Sequence, residues 1–195
     1  MIRFCDIVFS FFGLLLLCPL FIIVALWIVI DNPGPVFYRQ QRVGKDGKDF
    51  GLLKFRSMRV GADKMSLITI GERDPRVTRA GFYIRKYKLD ELPQLWNVFV
   101  GDMSLVGPRP EVRRYVDFYT EDQRRVLSVR PGITDYASIE YIDENRLLAQ
   151  STDPDKTYIE EIMPAKIALN MRYIEHQTLG EYFKIIFLTL FKIVR

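Results

Sequence analysis

The sequence predicts a mostly helical α+β protein with an N-terminal membrane helix, a small β-hairpin and amphipathic helices lying at a membrane interface. Three observations lead there. Residues 7–30 carry no charge, and about 20 apolar residues suffice to cross the hydrocarbon of a bilayer. Two strand-like runs, residues 36–39 and 50–55, flank a loop that contains Gly44 and Gly47, which is a hairpin pattern. Apolar residues then recur at helical spacing through much of the remainder. A chain of 195 residues favours one ordinary domain behind the membrane segment. The division falls at residues 1–32 and 33–195.

The membrane segment is too long for a cleaved signal peptide, and Asn32-Pro33-Gly34-Pro35 does not resemble a cleavage site. Pro19 sits in mid-run, removes a helix hydrogen bond and predicts a kink. Both flanks are cationic, Arg3 on one side and Arg39, Arg42, Lys45 and Lys48 on the other. The positive-inside tendency keeps cationic flanks cytoplasmic. A helix that enters, breaks at Cys18-Pro19 and returns satisfies both facts, with Ser10 or a neighbouring helix bonding the freed carbonyl. These residues alone leave spanning and re-entrant forms equally open.

Beyond the hairpin, a helix is expected to begin at residues 56–64, and Glu72-Arg73-Asp74-Pro75 is a turn. Residues 78–87 read as a helix with Ala80, Tyr83, Ile84 and Tyr87 on one face. Residues 89–99 read as another, with a stripe of Leu92, Leu95, Trp96 and Phe99. Val106-Gly107-Pro108-Arg109-Pro110 cannot be regular structure. Residues 111–127 predict a charged helix, 133–143 an extended or irregular stretch, and 155–176 a helix interrupted at Pro164. In the C-terminal segment, Glu181, Lys184, Lys192 and Arg195 share a narrow arc opposite Phe183, Ile186, Phe187, Leu190 and Ile193. That is the profile of an interfacial helix.

Composition narrows the chemistry. Cys5 and Cys18 are the two cysteines and lie in or beside the apolar run, so no Cys-ligated zinc site can be built downstream. His176 is the single histidine, which disfavours His-rich metal sites and Ser-His-Asp arrangements. If the chain is an enzyme, its acid, base and nucleophile are expected among Asp, Glu, Lys, Arg and Tyr. The 28 Lys and Arg residues outnumber 24 Asp and Glu and cluster around turns. The clusters are Lys54, Arg56 and Arg59; Arg73, Arg76, Arg79, Arg85, Lys86 and Lys88; Arg109, Arg113 and Arg114; and Arg124, Arg125 and Arg130, and guanidinium forks match phosphate oxygens bidentately. Most of these cations read as solvated faces or as attraction to anionic lipid. Arg109 differs because prolines on both sides restrict its backbone.

Asp90-Glu91 is an acidic pair in a basic setting, followed by Pro93. As a lone dipeptide it reads as a helix start, with Asp90 as N-cap. Set among arginines it suits phosphoryl transfer: one carboxylate attacks phosphorus and holds a covalent intermediate, while cations offset charge on the oxygens. A divalent cation bridging a carboxylate and a diphosphate would relieve repulsion between anions.

Longer strings carry a specific resemblance. Asp74-Pro75-Arg76-Val77-Thr78-Arg79, Leu89-Asp90-Glu91-Leu92-Pro93-Gln94-Leu95-Trp96-Asn97-Val98, Gly101-Asp102-Met103-Ser104-Leu105-Val106-Gly107-Pro108-Arg109-Pro110 and Arg130-Pro131-Gly132-Ile133-Thr134 strongly resemble the bacterial monotopic phosphoglycosyl transferases. The apolar run with its central proline and Lys54-Phe55-Arg56-Ser57-Met58 are similar to that family too.

The resemblance covers nearly the whole chain and implies a small, catalytic-core-only member. It implies transfer of a phosphosugar from a UDP-sugar to polyprenol (undecaprenyl) phosphate with release of UMP, at the start of glycoconjugate or polysaccharide assembly. It implies a re-entrant membrane helix over residues 1–32, broken at Cys18-Pro19, and a cytoplasmic catalytic domain over 33–195. The enzyme would sit in one leaflet at the cytoplasmic face of the bacterial inner membrane, with downstream glycosyltransferases as partners and no nucleic acid. Carried over, Asp90 is the nucleophile of a phosphosugar-aspartyl intermediate, and Glu91 assists with metal or acceptor phosphate. Asp90 and Glu91 would hold magnesium, the family's cofactor. Arg85 would contact phosphate, and Pro108-Arg109-Pro110 would lie near the nucleotide. Lys54, Arg56 and Arg130 complete the substrate-binding set.

Two departures stand out: Cys18-Pro19 where Ser-Pro is common, and Asp135-Tyr136-Ala137-Ser138 where Gly-Trp-Ala-Gln is frequent. The second leaves the sugar unassigned. A hydrolase and a non-enzymatic lipid anchor are the competing functions, and UMP release with and without polyprenol phosphate separates all three.

Overall fold

The structure, a computed structural model, describes residues 1–62 and 74–194. The first element is one helix, α1 (Ile2–Asp31), followed by the antiparallel hairpin β1 (Phe37–Val43) and β2 (Asp49–Phe55). Then come α2 (Arg79–Lys86), α3 (Gln94–Val100) and β3 (Ser104–Val106). The short helices α4 (Arg113–Val116) and α5 (Glu121–Arg124) lead to β4 (Gly132–Thr134), which pairs in parallel with β3. Four helices follow, α6 (Tyr136–Glu140), α7 (Glu144–Ala149), α8 (Pro154–Thr157) and α9 (Met163–Glu175), and α10 (Leu179–Val194) ends the described chain.

In α1 just four residues are buried, Asp6, Ser10, Val24 and Ile28, while Phe12, Leu16, Ile23 and Ile30 are among many that face outward. A helix this apolar and this exposed has lipid as its natural solvent. The break expected at Cys18-Pro19 is not a loss of helix, because α1 runs on through both residues. Nor does Ser10 serve the carbonyl that Pro19 frees; its hydroxyl donates back to Asp6 O at 2.6 Å and to Ile7 O at 3.2 Å.

Both ends of α1 are fastened to the same body. Near the start, Arg3 donates to the Val98 and Phe99 carbonyls at the end of α3. Asp6 is buried and accepts bonds from Ser104 Oγ at 3.0 Å, Leu105 N at 2.9 Å and Tyr182 Oη at 2.9 Å. At the far end, Asp31 accepts from Ala80 N at 3.0 Å in the first turn of α2, and Val24 and Ile28 pack with Phe55, Ala80 and Ile84.

Several helices present their apolar side outward. Ala80, Gly81 and Ile84 are the buried face of α2, whereas Tyr83 and Tyr87, expected on that face, are exposed, with Tyr83 stacked on Trp27. Residues 89–99 are not one helix: a 3₁₀ turn over Leu89–Glu91 precedes α3, whose buried residues are Gln94, Asn97 and Val98. Its predicted stripe lies toward α1, Leu95 against Gly13 and Phe99 against Phe11, with Trp96 exposed. On α10, Tyr182 and Ile185 are buried while Phe187, Leu190 and Phe191 are exposed.

Residues 56–62 form no α-helix; Met58 bridges Val77 instead. Asp63, Lys64, Glu72 and Arg73, which complete the helix and turn expected there, lie outside the described residues. The single charged helix expected over 111–127 is split, because Thr120 accepts from Gln123 N and starts a new helix with a capping box. The interruption expected at Pro164 is a change of hydrogen-bond pattern and not a break: the backbone stays helical from α8 into α9, and α-helical bonding lapses just before Pro164. A π-turn over Tyr158–Ile162 joins α8 to α9.

The β3–β4 pair brings two backbones unusually close. A Cβ on Gly132 would meet Gly107 N at 2.1 Å, so that position admits only glycine. Gly132→Ala must push β4 away from the turn that follows β3. We expect a loss at the upper end of single-substitution effects, about 3 kcal/mol, read as a lower midpoint in thermal unfolding of the detergent-solubilised protein. An unchanged midpoint would contradict the close approach.

Candidate active site

Three segments converge on one pair of carboxylates. Lys54 is on β2, and α3 is locked to that strand by Asn97, which accepts from Leu53 N at 2.9 Å and donates to Gly51 O at 2.9 Å. The 3₁₀ turn that carries Asp90 and Glu91 comes just before α3 and is thereby set opposite Lys54. Lys88 enters the turn at φ 56°, ψ 21°, left-handed backbone that non-glycine residues rarely adopt. Such strain persists only where surrounding contacts impose it. Arg109 arrives from the loop after β3.

Glu91 is the hub. Its Oε1 takes Lys54 Nζ at 3.2 Å, and Arg109 bonds it through both guanidinium Nη atoms, with Nη1 3.3 Å from Oε2. Burial opposes its charge, but Arg109 and Lys54 outweigh burial and hold the carboxyl well below the usual carboxylate range. Asp90 is shifted the other way. Burial raises its pKa, Lys54 and Arg85 pull it down, and neighbouring Glu91 pushes it up. Among the described residues its carboxylate has no hydrogen-bond or ion-pair partner. Burial also lowers the pKa of Lys54, against the pull of Glu91. Adjacent carboxylates thus do different work. One is an ionised strut between two cations; the other is unencumbered and more basic than an ordinary aspartate. Asp90 is not the N-cap that its place near a helix start suggested, since no side chain caps either the turn or α3.

Not every predicted residue joins this cluster. Arg85, in the last turn of α2, acts on Asp90 through its charge. Arg56 is instead bound to Asn32 O, to Asn32 Oδ1 at 3.1 Å and to Pro33 O, at the C-terminal end of α1. Arg130 donates from Nε to Gly101 O at 2.9 Å, just past α3. Both arginines meet unpaired carbonyls at a helix C-terminus, where the dipole favours a cation. Pro108 and Pro110 flank Arg109, and Pro110 O accepts from Arg42 at 3.1 Å. Cys18 and Pro19 are exposed on α1, remote in sequence from this cluster.

A layer behind the turn was not foreseen. Arg42 reaches Glu111 at 3.2 Å, and Tyr158 Oη donates to the other Glu111 oxygen. Glu111 and Tyr158 line a groove together with Arg109, Lys166 and Asn170. Arg42 and Glu111 are 69 residues apart, so no local pattern could announce the pair. Asp135, noted in the sequence as a departure, accepts the backbone N–H of Arg109.

The model of the bacterial sugar transferase family matches residues 1–195. The chain belongs to that family. A UDP-N-acetylgalactosamine-undecaprenyl-phosphate N-acetylgalactosaminephosphotransferase of Aeromonas hydrophila is 42% identical over 139 residues, covering 69% of this chain and 32% of that protein. A UDP-glucose:undecaprenyl-phosphate glucose-1-phosphate transferase of Escherichia coli is 36% identical over 190 residues, 96% of this chain and 39% of its own length. One of the same name from Caulobacter vibrioides is 36% identical over 190 residues, 96% and 67%. The chain thus spans well under half of the first two of these relatives. Within the bacterial sugar transferases, the names of these three relatives differ in the sugar and agree on undecaprenyl phosphate.

Proposed function

We propose that the chain transfers a sugar 1-phosphate from a UDP-sugar to polyprenol (undecaprenyl) phosphate, releasing UMP, through a covalent intermediate on Asp90. The observation that carries this reading is the contrast between the two carboxylates. Glu91 is neutralised and immobilised by Lys54 and Arg109, whereas Asp90 beside it is raised in pKa and, among the described residues, unbonded.

In the first displacement an Asp90 carboxylate oxygen bonds to the β-phosphorus. The bond from that phosphorus to the bridging oxygen breaks, and UMP leaves with the oxygen. In the second, an oxygen of the lipid phosphate attacks the same phosphorus. Asp90 departs as carboxylate, leaving a sugar on a lipid diphosphate. Two anionic substrates then never need to meet without a protein intermediary. Lys54, Arg85 and Arg109 offset charge on the phosphoryl oxygens. Asp90 and Glu91 suit magnesium only in part. Among the described residues Asp90 offers a free carboxylate, but both Glu91 oxygens are engaged by cations. Magnesium commonly uses one or two carboxylates plus substrate phosphates, so Asp90 would be its main protein ligand here, and the ion would add charge neutralisation on the diphosphate.

The same reading makes α1 a re-entrant, monotopic anchor at the cytoplasmic face of the inner membrane. A spanning helix would carry Arg3 to the far face, away from the Val98 and Phe99 carbonyls it bonds. The exposed aromatic and aliphatic residues of α2, α3 and α10 support a body resting on the same leaflet. Single cysteines placed beside Arg3 and Arg39, in a background lacking Cys5 and Cys18, should both resist an impermeant thiol reagent added outside intact cells. Labelling of the N-terminal site from outside would overturn the re-entrant reading. The activity is tested with a panel of UDP-sugars: UMP should appear in quantity only when polyprenol phosphate is present. UMP release indifferent to the lipid would point to a hydrolase, and no release from any UDP-sugar to an anchor.

A further inference from the structure

The Pro108-Arg109-Pro110 turn has an unusual backbone economy. Proline has no N–H, so the amide of Arg109 is the single main-chain donor in the tripeptide. It is committed to a side chain: Arg109 N donates to Asp135 Oδ2 at 2.8 Å. The same oxygen accepts from Asn170 Nδ2 on α9 at 3.0 Å, and the other carboxylate oxygen accepts from Ser138 N as the N-cap of α6. Asp135 is 1% exposed. Its charge is met by three N–H donors and, at longer range, by the guanidinium of Arg109 itself. The carbonyls of the turn are tied as well, Pro108 O by Gly132 N at 3.0 Å and Pro110 O by Arg42 at 3.1 Å. A capping Ser or Asn would serve α6 equally. What a carboxylate adds is a second acceptor oxygen, and that oxygen is directed at Arg109 and Asn170.

We propose that Asp135 is a positioning residue for Arg109. It holds the turn so that the guanidinium reaches Glu91, and it ties the turn to α9 through Asn170. This rests on the role given to Arg109 above, but the physical link can be tested without it.

Asp135→Ser keeps an N-cap oxygen for α6 and withdraws the acceptor from Arg109. Asp135→Asn keeps the volume but sets an amide nitrogen against one of the donors, and serves if the serine variant does not fold. Each is to be combined with Arg109→Ala in a double-mutant cycle read by UMP release. The expected loss is about tenfold in the wild-type background, of the order of one charge-assisted hydrogen bond. In the Arg109→Ala background it should be less than about twofold, because the residue being positioned is gone. Equal losses in both backgrounds would mean that Asp135 supports the fold alone, and would overturn the proposal. Site-resolved amide exchange is the second readout. The Arg109 N–H should exchange faster in the Asp135 variants, while the Gly107 N–H, bonded to Thr134 O, and the amides of α9 keep their wild-type rates. If the wild-type protein releases no UMP from any UDP-sugar, the proposed function fails. The exchange measurement still decides the positioning claim, and an unchanged Arg109 rate sinks it.

Discussion

Asp90→Asn is expected to abolish turnover and all covalent labelling by a UDP-sugar carrying a labelled β-phosphate. The substitution preserves size and removes the anionic oxygen that attacks phosphorus. Unfolding cannot account for the loss, as the sign of the linkage shows. Asp90 has a folded pKa raised by burial, so its ionised form disfavours the native state at any pH above the ordinary carboxylate range. Replacing it with a neutral amide should leave the unfolding midpoint at pH 7 unchanged or slightly higher. The wild-type rate should follow the ionised fraction of Asp90. It should fall on the acid side with an apparent pKa above that of a free aspartate, and a limb at or below the free value would contradict the burial of this group. Peptide mapping that found the label on Glu91, or normal turnover in Asp90→Asn, would overturn the nucleophile assignment.

Arg109→Ala should produce the next largest loss, with Arg85→Ala close behind and Arg124→Ala near wild type. A charge-assisted hydrogen bond contributes roughly 1.5–3 kcal/mol, or about ten- to a hundredfold in rate when it is made in the transition state. Arg109 also bonds both oxygens of Glu91, so its removal leaves that carboxylate with Lys54 alone. Glu91 is held low in the folded protein. It therefore adds stability above its unfolded pKa, and that stability is lost as pH falls through the depressed folded value. Without Arg109 the folded value rises toward normal and the acid-induced loss moves to higher pH. Arg124 is exposed on α5, away from the carboxylates, and reports on diffuse surface charge. Equal, small effects on kcat/KM at all three arginines would favour a basic surface over a site.

Much of this arrangement is visible along the chain because its signals are local. An uncharged run makes α1, two β-rich segments around glycines make the hairpin, and prolines on both sides mark Arg109. Asp90-Glu91 stands out as acid among bases, and the turn that holds it precedes a helix, as Pro93 suggests.

What only the tertiary structure decided has two physical causes. Helical periodicity separates an apolar face from a polar one but does not say which medium lies opposite. Tyr83, Trp96, Phe187 and Phe191 face outward, while Asn97 is buried where its amide bonds the backbone of β2, and Gln94 is buried with its amide nitrogen unpartnered among the described residues. The second cause is that an arginine's role depends on what long-range folding brings within its reach. Arg56 and Arg130 are phosphate-binding candidates in the sequence as Arg109 is, yet they stand at the C-terminal ends of α1 and α3, and among the described residues only Arg109 of the three meets a carboxylate. Asp135, Asn170, Arg42 and Glu111 come from separate stretches of chain. The β3–β4 pair that gathers them consists of strands three residues long. So short a strand carries no pattern of its own, and its pairing is set by the close backbone approach of Gly107 and Gly132.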